Sequence, residues 1–189
     1  LYALVGGFGS FVYAQFNYLL PLNMESLYGA KGAEIFGLLT SVNALVVILA
    51  TPLVTTFLGK IRDVKKLLIG QTLIVLGLYS FRYVQLQMAL YFLLMVIFTI
   101  GEVFKTLGEQ PYMTRRIPAT HWGRVNSFVS IVSGAFSSVG NLFLGRLLDS
   151  QGYSAAWLAV GLAGIGLIIL AYLLSETDKK AFPLLYAEK

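Results

Sequence analysis

The chain has 189 residues, of which 57% are hydrophobic and only 12% are charged. Soluble domains carry about 25% charged residues and need a wettable surface, so this composition excludes an ordinary soluble protein and places much of the surface in membrane lipid. With no cysteine, one histidine and a net charge of +5 that follows the loops, we expect no disulfide, no histidine metal cluster, no cofactor and no nucleic-acid partner.

Six long apolar stretches predict transmembrane helices. A helix needs about 20 mostly apolar residues to cross a bilayer. The third stretch is short, but Lys66 and Arg82 flank it and can extend their charged ends to the lipid headgroups. In chain order, the predicted spans are 1–22, 34–57, 66–83, 87–110, 124–148 and 154–175.

Basic residues concentrate on one side of this predicted topology. One side carries Lys31 and Arg82, with Arg146 at the edge of the fifth span. The opposite side carries ten basic residues, namely Lys60, Arg62, Lys65, Lys66, Arg115, Arg116, Arg124, Lys179, Lys180 and Lys189. Because Lys and Arg are enriched in cytoplasmic loops, we expect both termini to be cytoplasmic and the protein to lie in the plasma (inner) membrane. The polar tail is expected to fray.

The chain begins at Leu1 inside an apolar run, with no initiator Met, basic flank or signal-peptide pattern before it. We therefore expect that it has been cut from a longer protein. The alternative is a natural six-span protein whose start has been trimmed.

The sequence repeats weakly with an offset of 86 residues. Segment 58–63 aligns with 144–149, and Phe36-Gly37 aligns with Trp122-Gly123. The units 1–86 and 87–172 then hold three predicted helices each, and an odd number of crossings inverts the second unit. Inverted repeats of this kind are a mark of secondary transporters. The predicted fold is an all-α integral membrane bundle over 1–175, with six transmembrane helices as two inverted three-helix repeats, followed by a cytoplasmic tail over 176–189.

Three local features resemble the major facilitator superfamily, and in particular the carboxy-terminal half of its drug/proton antiporters. The loop 59–66 resembles the family's loop signature of a glycine, an aspartate four residues later and then basic residues, although it departs from that signature at Val64 and Lys66. Gly101-Glu102 is similar to a Gly-Glu pair found in many antiporters. The segment 115–127 resembles the short cytoplasmic loop that leads into the next helix.

This resemblance implies that the six spans correspond to helices seven to twelve of a twelve-helix transporter. It also implies that the amino-terminal six-helix half is missing from this sequence. The expected partners are therefore membrane lipid, a small-molecule substrate, protons, and either that missing half or a second copy of the chain.

The fourth predicted span carries three charged residues on one helical face. Glu102, Lys105 and Glu109 lie at positions i, i+3 and i+7. A charge at the bilayer centre costs at least about 2.5–3.5 kcal/mol on insertion scales, so this face must contact water or other helices. We predict that Glu102, with Lys105, couples transport to protons; the alternative is a structural salt bridge that fixes helix packing. Glu109 is predicted to act at a gate or in structure.

Amide and aromatic groups predict a substrate cavity. Ser10, Tyr13 and Asn17 share one face of the first span, and Gln15 lies close by. The alternative for these side chains is a bond to their own helix backbone. Further candidates are Asn43 in the second span and Asn141 in the fifth. Asn141 belongs to a stripe for which close helix packing is the favoured interpretation; the stripe is Ser130, Ser133, Gly134, Ser137 and Asn141.

The basic loop after the second span has two compatible interpretations. One interpretation is that the loop enforces orientation through the positive-inside bias. The other, which the resemblance implies, is that Asp63 and its basic neighbours lock one conformation. We predict gate or structural roles for Asp63, Arg62, Arg115 and Arg116. Asp63 also lies where it can favour the start of the third predicted helix through the helix dipole.

The favoured function is proton-coupled transport of a small organic molecule by alternating access, with efflux as the subclass that the antiporter resemblance implies. The nearest alternative is an uptake symporter, and a further alternative is a membrane receptor or assembly subunit that has lost transport. An enzyme is not expected, because the sequence lacks a metal-ligand set and a Gly-x-Ser-x-Gly motif.

Overall fold

Helices form all the regular structure in the part of the chain that the computed structural model describes, residues 1–84 and 87–187. Three one-turn 3-10 segments, at Gly29–Lys31, Phe81–Tyr83 and Ala119–His121, lie between longer helices. Lys189, which the charge count includes, lies outside the described residues. The helices are α1 Tyr2–Ala14, α2 Leu19–Tyr28, α3 Gly32–Leu58, α4 Asp63–Ser80, α5 Met88–Arg116, α6 Trp122–Ala181 and α7 Leu184–Ala187.

Four helical stretches are long and apolar enough to cross a membrane: Tyr2–Phe57, Asp63–Tyr83, Met88–Arg116 and Ala119–Ala181. The prediction of an all-helical integral membrane protein is therefore confirmed. The first and last stretches, of 56 and 63 residues, far exceed the roughly 20 residues of one crossing, and each is interrupted. In the last stretch the interruption is Gly152, whose φ of 78° divides α6 into two helical segments. The count of six crossings stays a prediction.

The first predicted span is not one continuous helix. Four residues separate α1 from α2, and there the backbone N–H of Leu20 donates to the carbonyl of Gln15 at 3.0 Å. This five-residue spacing is typical of the wide π-type turn, which occurs often at functional sites. The end of α2 is held to the second segment of α6 by Tyr153, whose hydroxyl donates to the carbonyl of Leu22 at 2.8 Å.

Two helix pairs form the most extensive contacts: α1 runs along α6, and α4 runs along α5. Glycines bring the backbones of α4 and α5 together. A Cβ atom added at Gly101 would lie 2.7 Å from the amide nitrogen of Ile74, and one added at Gly70 would lie 2.7 Å from the carbonyl oxygen of Gly101. Because Gly101 faces α4, the next residue, Glu102, is turned about 100° away. This rotation directs Glu102 towards α1 and α3.

The structure corrects the expectation that the tail frays. Helix α6 continues to Ala181, and α7 follows after a short turn. Asp178 is only 3% exposed, because an arginine from α5 binds its carboxylate. The tail therefore packs on the ends of the transmembrane helices as far as the described residues extend.

Candidate functional site

The carboxylate of Glu102 lies where three helices meet. The hydroxyl of Tyr13 in α1 donates to its Oε1 at 2.7 Å, and the amide Nδ2 of Asn43 in α3 donates to its Oε2 at 2.9 Å. Glu102 itself belongs to α5. Each carboxylate oxygen thus accepts a hydrogen bond from a neutral donor on a different helix. Of the residues predicted for the substrate cavity, the structure brings Tyr13 and Asn43 to Glu102.

Thr99 fixes the orientation of the Asn43 amide, and it was not predicted from the sequence. The Asn43 amide also donates to Thr99 Oγ1 at 2.9 Å, and the Thr99 hydroxyl in turn donates to the carbonyl of Met95 at 2.7 Å. Thr99 is fully buried and lies three residues before Glu102, on the same helical face. That spacing is the signal in the sequence that would have identified it.

Aromatic rings form an apolar wall beside the Glu102 site. The Tyr13 ring stacks on Phe98 with ring centres 5.7 Å apart, and Phe16 stacks on the same Phe98 at 5.1 Å. Phe36 packs on Phe16 at 5.7 Å. The carboxylate thus lies beside an apolar surface, while Glu102 itself is half-buried.

Lys105 pairs with Glu109, although Glu102 was the partner predicted from the sequence. The Nζ of Lys105 lies 3.7 Å from Glu109 Oε2, and the two side chains are 22% and 30% exposed. The same Nζ lies 5.4 Å from the centre of the Tyr13 ring. Lys105 pairs with Glu109 because both oxygens of Glu102 already accept hydrogen bonds. The carboxylate of Glu109, by contrast, accepts only one long hydrogen bond, of 3.4 Å, from the Tyr2 hydroxyl. Lys105 is thus adjacent to the site without neutralising it.

Gln15 and Asn141 join α1 to α6. The buried amide of Gln15 donates to Asn141 Oδ1 at 2.8 Å and to the carbonyl of Phe11 at 2.7 Å. Its own Oε1 has no hydrogen-bond partner within the described residues. Among the residues that the structure describes, no hydrogen bond connects Ser10 or Asn17 with Glu102. Gln15 and Asn141 are therefore a contact between helices, and their place in a substrate cavity stays a prediction.

The small-residue stripe of α6 is partly covered, because Ser133 lies against Gly6 and Asn141 accepts a hydrogen bond from Gln15. A Cβ atom added at Gly6 would lie 3.3 Å from Ser133 Oγ, whereas one added at Gly134 would have no atom within 4 Å. Ser130 and Gly134 are exposed. Of the five residues predicted for close helix packing, these two are thus uncovered, whereas Ser133, Ser137 and Asn141 are half-buried.

A second group of charged side chains lies at the end of α5, where α4 begins. Arg115 donates to Asp63 Oδ2 at 3.0 Å, while Arg116 lies 3.9 Å from the same oxygen. Arg116 also binds Asp178 with two hydrogen bonds, of 2.6 and 2.7 Å. The structure therefore joins three of the residues predicted for a gate, and it adds Asp178. Asp63 lies in the first turn of α4, which has no side-chain cap, so it favours that helix end through its charge alone.

Tyr186 from α7 completes this group. Its hydroxyl donates to Asp178 Oδ2 at 2.5 Å, and the guanidinium of Arg62 lies over its ring, 4.4 Å from the centre. Burial, followed by the hydrogen bond to Asp178, raises the pKa of Tyr186 to about 12. The phenol therefore stays protonated and can donate at neutral pH. Neither Asp178 nor Tyr186 was predicted, because both belong to the segment that was expected to fray.

Glu102 is a titratable group whose partners lie on two other helices. No group of three or more His, Asp or Glu residues that could hold a metal ion occurs in the part of the chain that the structure describes. Glu102 instead combines a titratable group with hydrogen bonds to two other helices. Protonation would add a donor to this carboxyl group and reduce its capacity to accept.

Comparison with known proteins adds one result. A family model described as Major Facilitator Superfamily matches residues 2–185, nearly the whole chain. Neither the curated proteins nor the solved structures contain a match to the chain.

Proposed function

The chain belongs to the Major Facilitator Superfamily of membrane transporters, and we propose that it acts as the carboxy-terminal half of a proton-coupled carrier of a small organic molecule. The observation that carries this proposal is the Glu102 carboxylate. It lies in a long apolar helix and accepts hydrogen bonds from Tyr13 and Asn43, which are neutral and belong to two other helices.

The charge of Glu102 makes it a suitable proton carrier. Lys105, the nearest cation along α5, is paired with Glu109. An ionised carboxylate without a cationic partner is costly in a membrane, by at least about 2.5–3.5 kcal/mol on insertion scales. Protonation removes this cost, while hydrogen bonds from two neutral donors reduce it in the ionised state. Glu102 thus combines a titratable carboxylate with neutral donors on two other helices, as a proton-carrying group in a transport cycle requires.

Protonation would act unequally on the two neighbouring helices. If Oε1 takes the proton, it becomes a donor, and the hydroxyl of Tyr13 can rotate to accept from it. Oε2 remains an acceptor, and Asn43 can continue to donate to it. The contact between α5 and α1 would therefore respond to the proton, while the contact between α5 and α3 would persist. This difference provides a route from proton binding to helix movement.

The arrangement of the helices supports alternating access through two inverted repeats. Helix α1 packs against α6, and α3 packs against α5. With the 86-residue offset of the repeat, α1 corresponds to α5, and α3 corresponds to the first part of α6. The contact of α1 with α6 in one repeat is therefore the counterpart of the contact of α5 with α3 in the other. In inverted-repeat transporters the substrate site lies near the midplane between the repeats, which agrees with a site formed by α1, α3 and α5. A superposition of 1–86 on 87–172 in an experimental structure would test this relation.

We propose that a second six-helix bundle covers the exposed faces of α3 and the first part of α6. Large apolar side chains there are more than half exposed, among them Ile48 at 67%, Phe57 at 75% and Ile131 at 70%. On α6 they alternate with small polar residues such as Ser130, which are typical of contacts between membrane helices. The proposed occupant is the amino-terminal half, and a second copy of the chain is the alternative.

Transport in proteoliposomes tests the function. The transporter that contains this chain would be reconstituted with an imposed pH gradient and a panel of organic compounds, and collapse of the gradient would be followed by a fluorescent pH indicator. We expect one or more compounds to collapse the pH gradient and to accumulate against their own concentration gradient. We propose efflux, for which compound and protons move in opposite directions; movement in the same direction would identify a symporter. Transport that is unaffected by the gradient would contradict proton coupling, and no transport at all would favour a receptor or assembly subunit.

A further inference from the structure

A cavity of about 740 Å³ lies beside the charged group at the ends of α3, α4 and α5. The loop 59–62 forms one wall and α7 forms another. The polar residues that line the cavity are Lys60, Arg62, Asp63, Arg115, Arg116 and Tyr186. This is the side of the membrane that the charge bias predicts to be cytoplasmic. The proposed transport site around Glu102 shares none of these residues.

The charges around the cavity are unbalanced in favour of cations. Four cations line it, whereas Asp63 is the only acidic residue among the lining residues. The carboxylate of Asp63 is 7% exposed and pairs with Arg115 and Arg116, so it presents little negative charge to the cavity. The carboxylate of Asp178, which does not line the cavity, forms an ion pair with Arg116 at 2.6 Å. Lys60 and Arg62 form no ion pair with an acid within the described residues.

The cations of the cavity retain free hydrogen-bond donors. Arg115 has an exposed side chain (62%) and uses one N–H group on Asp63, which leaves other N–H groups of its guanidinium unused. Arg62 contacts the face of the Tyr186 ring, and an arginine held in this way keeps its N–H groups at the edge of the guanidinium plane. Tyr186 is itself fixed by Asp178. Arg62 is therefore held in position while its donors stay available.

The first turn of α4 adds backbone donors at the same place. The first intrahelical hydrogen bond of α4 runs from the N–H of Lys66 to the carbonyl of Arg62, and no side chain caps the N–H groups that precede it. Uncapped N–H groups and the positive end of an 18-residue helix favour an anion. This feature alone would not define a site, but here it coincides with a cavity lined by cations.

From these observations we propose that the cavity binds a phosphate-bearing anion through Lys60, Arg62 and Arg115. Arginine matches the geometry of phosphate oxygens, and lysine binds phosphate as a point charge. The cavity volume is ample for a phosphate group and the atoms attached to it. Two sources share this chemistry, the headgroup of an anionic lipid and a soluble phosphate. Because the cavity borders α5 and the tail, its occupant would hold α7 in place.

Native mass spectrometry of the purified protein tests the lipid source, with dioleoyl phosphatidic acid as the probe and dioleoyl phosphatidylcholine as the reference lipid. A charge-assisted hydrogen bond contributes enough that the double change Lys60→Gln with Arg62→Gln should weaken binding of phosphatidic acid by about tenfold or more. The matched control removes two exposed cations on the same predicted side, Arg124→Gln with Lys180→Gln. It should leave binding unchanged.

The soluble source is tested in a neutral detergent. Inorganic phosphate, compared with chloride at equal ionic strength, should raise the unfolding temperature of the wild-type protein, and the double variant should lose this effect. The single variant Lys60→Gln is included in case the double variant misfolds. It should fold normally, because Lys60 is exposed and makes no ion pair among the described residues. Loss of phosphatidic acid binding alone in the double variant identifies a lipid headgroup as the source of the phosphate. Loss of stabilisation by inorganic phosphate alone identifies a soluble phosphate. The proposal is overturned if Lys60→Gln and the double variant bind both probes as the wild type does, or if the control variant loses binding equally.

Discussion

The hydroxyl of Tyr13 and the carboxylate of Glu102 are joined by a 2.7 Å hydrogen bond, although 89 residues separate them in the sequence. This bond connects α1 to α5 inside the apolar part of the molecule. Glu102 accepts it while its other oxygen accepts from Asn43, so one titratable group holds three helices. The proposed coupling of protons to helix movement depends on this relationship.

Changing Glu102 to Gln should abolish proton-driven accumulation of substrate and spare exchange down a gradient. Gln keeps the size of the side chain but cannot bind and release a proton. Because Lys105 is paired with Glu109, the change leaves no unpaired lysine, and the free energy of unfolding should change by about 1 kcal/mol or less. Uphill accumulation and downhill exchange would be measured in the same proteoliposomes.

Glu34→Gln is the control for this experiment, because Glu34 is an exposed acid in the first turn of α3. It should leave both kinds of transport intact. If Glu102→Gln accumulates substrate as well as the Glu34→Gln control does, Glu102 is not the coupling group.

Tyr13→Phe should slow transport by about tenfold while the protein remains folded. The change removes one hydrogen bond to a charged group, which contributes about 1.5–3 kcal/mol, and it keeps the ring that stacks on Phe98. Tyr172→Phe is the matched control, because the Tyr172 side chain is 55% exposed on α6. Initial rates of uptake or efflux would be compared. Equal rates in the two variants would show that the bond to Glu102 has no part in the cycle.

Gly70→Ala should destabilise the protein by about 1–3 kcal/mol, the usual cost of an added methyl group where there is no room. The added carbon would meet the backbone of α5 near Gly101, which cannot move aside as a flexible side chain could. Gly134→Ala is the control, since nothing lies within 4 Å of its added carbon. Its stability should be unchanged or slightly increased, because alanine favours a helix. Thermal unfolding in detergent, followed by tryptophan fluorescence, measures both; identical midpoints would refute the close contact of α4 and α5.

Asp178→Asn should destabilise the packing of the tail far more than Glu176→Gln. Asp178 and Arg116 are almost fully buried, with side chains 0% and 7% exposed, and loss of one partner of a buried ion pair costs about 3–5 kcal/mol. Glu176 and Lys179 form an ion pair with side chains that are 43% and 44% exposed, and such surface pairs contribute about 0–1 kcal/mol.

Hydrogen exchange of 178–187 would measure this difference between the two carboxylates. Rapid exchange is expected in Asp178→Asn only. Equal protection of 178–187 from hydrogen exchange in Asp178→Asn and Glu176→Gln would mean that Arg116 does not anchor the tail.

Some relationships in the candidate site follow from helical spacing, and others do not. The positions of Glu102, Lys105 and Glu109 on one face of α5 follow from 3.6 residues per turn, and the structure keeps them on that face. The choice of partner does not follow, because Lys105 lies within reach of a carboxylate on either side. It pairs with Glu109, since neutral donors from other helices occupy Glu102.

The sequence by itself determined that the chain is helical and lies in a membrane, because composition and the length of apolar runs act locally and leave no other solvent for such a surface. It also determined the family, through short motifs that the match over residues 2–185 confirms. Only the tertiary structure decided that Asn43 meets Glu102 and that Asp178 holds Arg116. These partners belong to different helices, and the rotation of each helix about its axis is set by close packing, such as that of Gly70 on Gly101, which spacing along one helix does not specify.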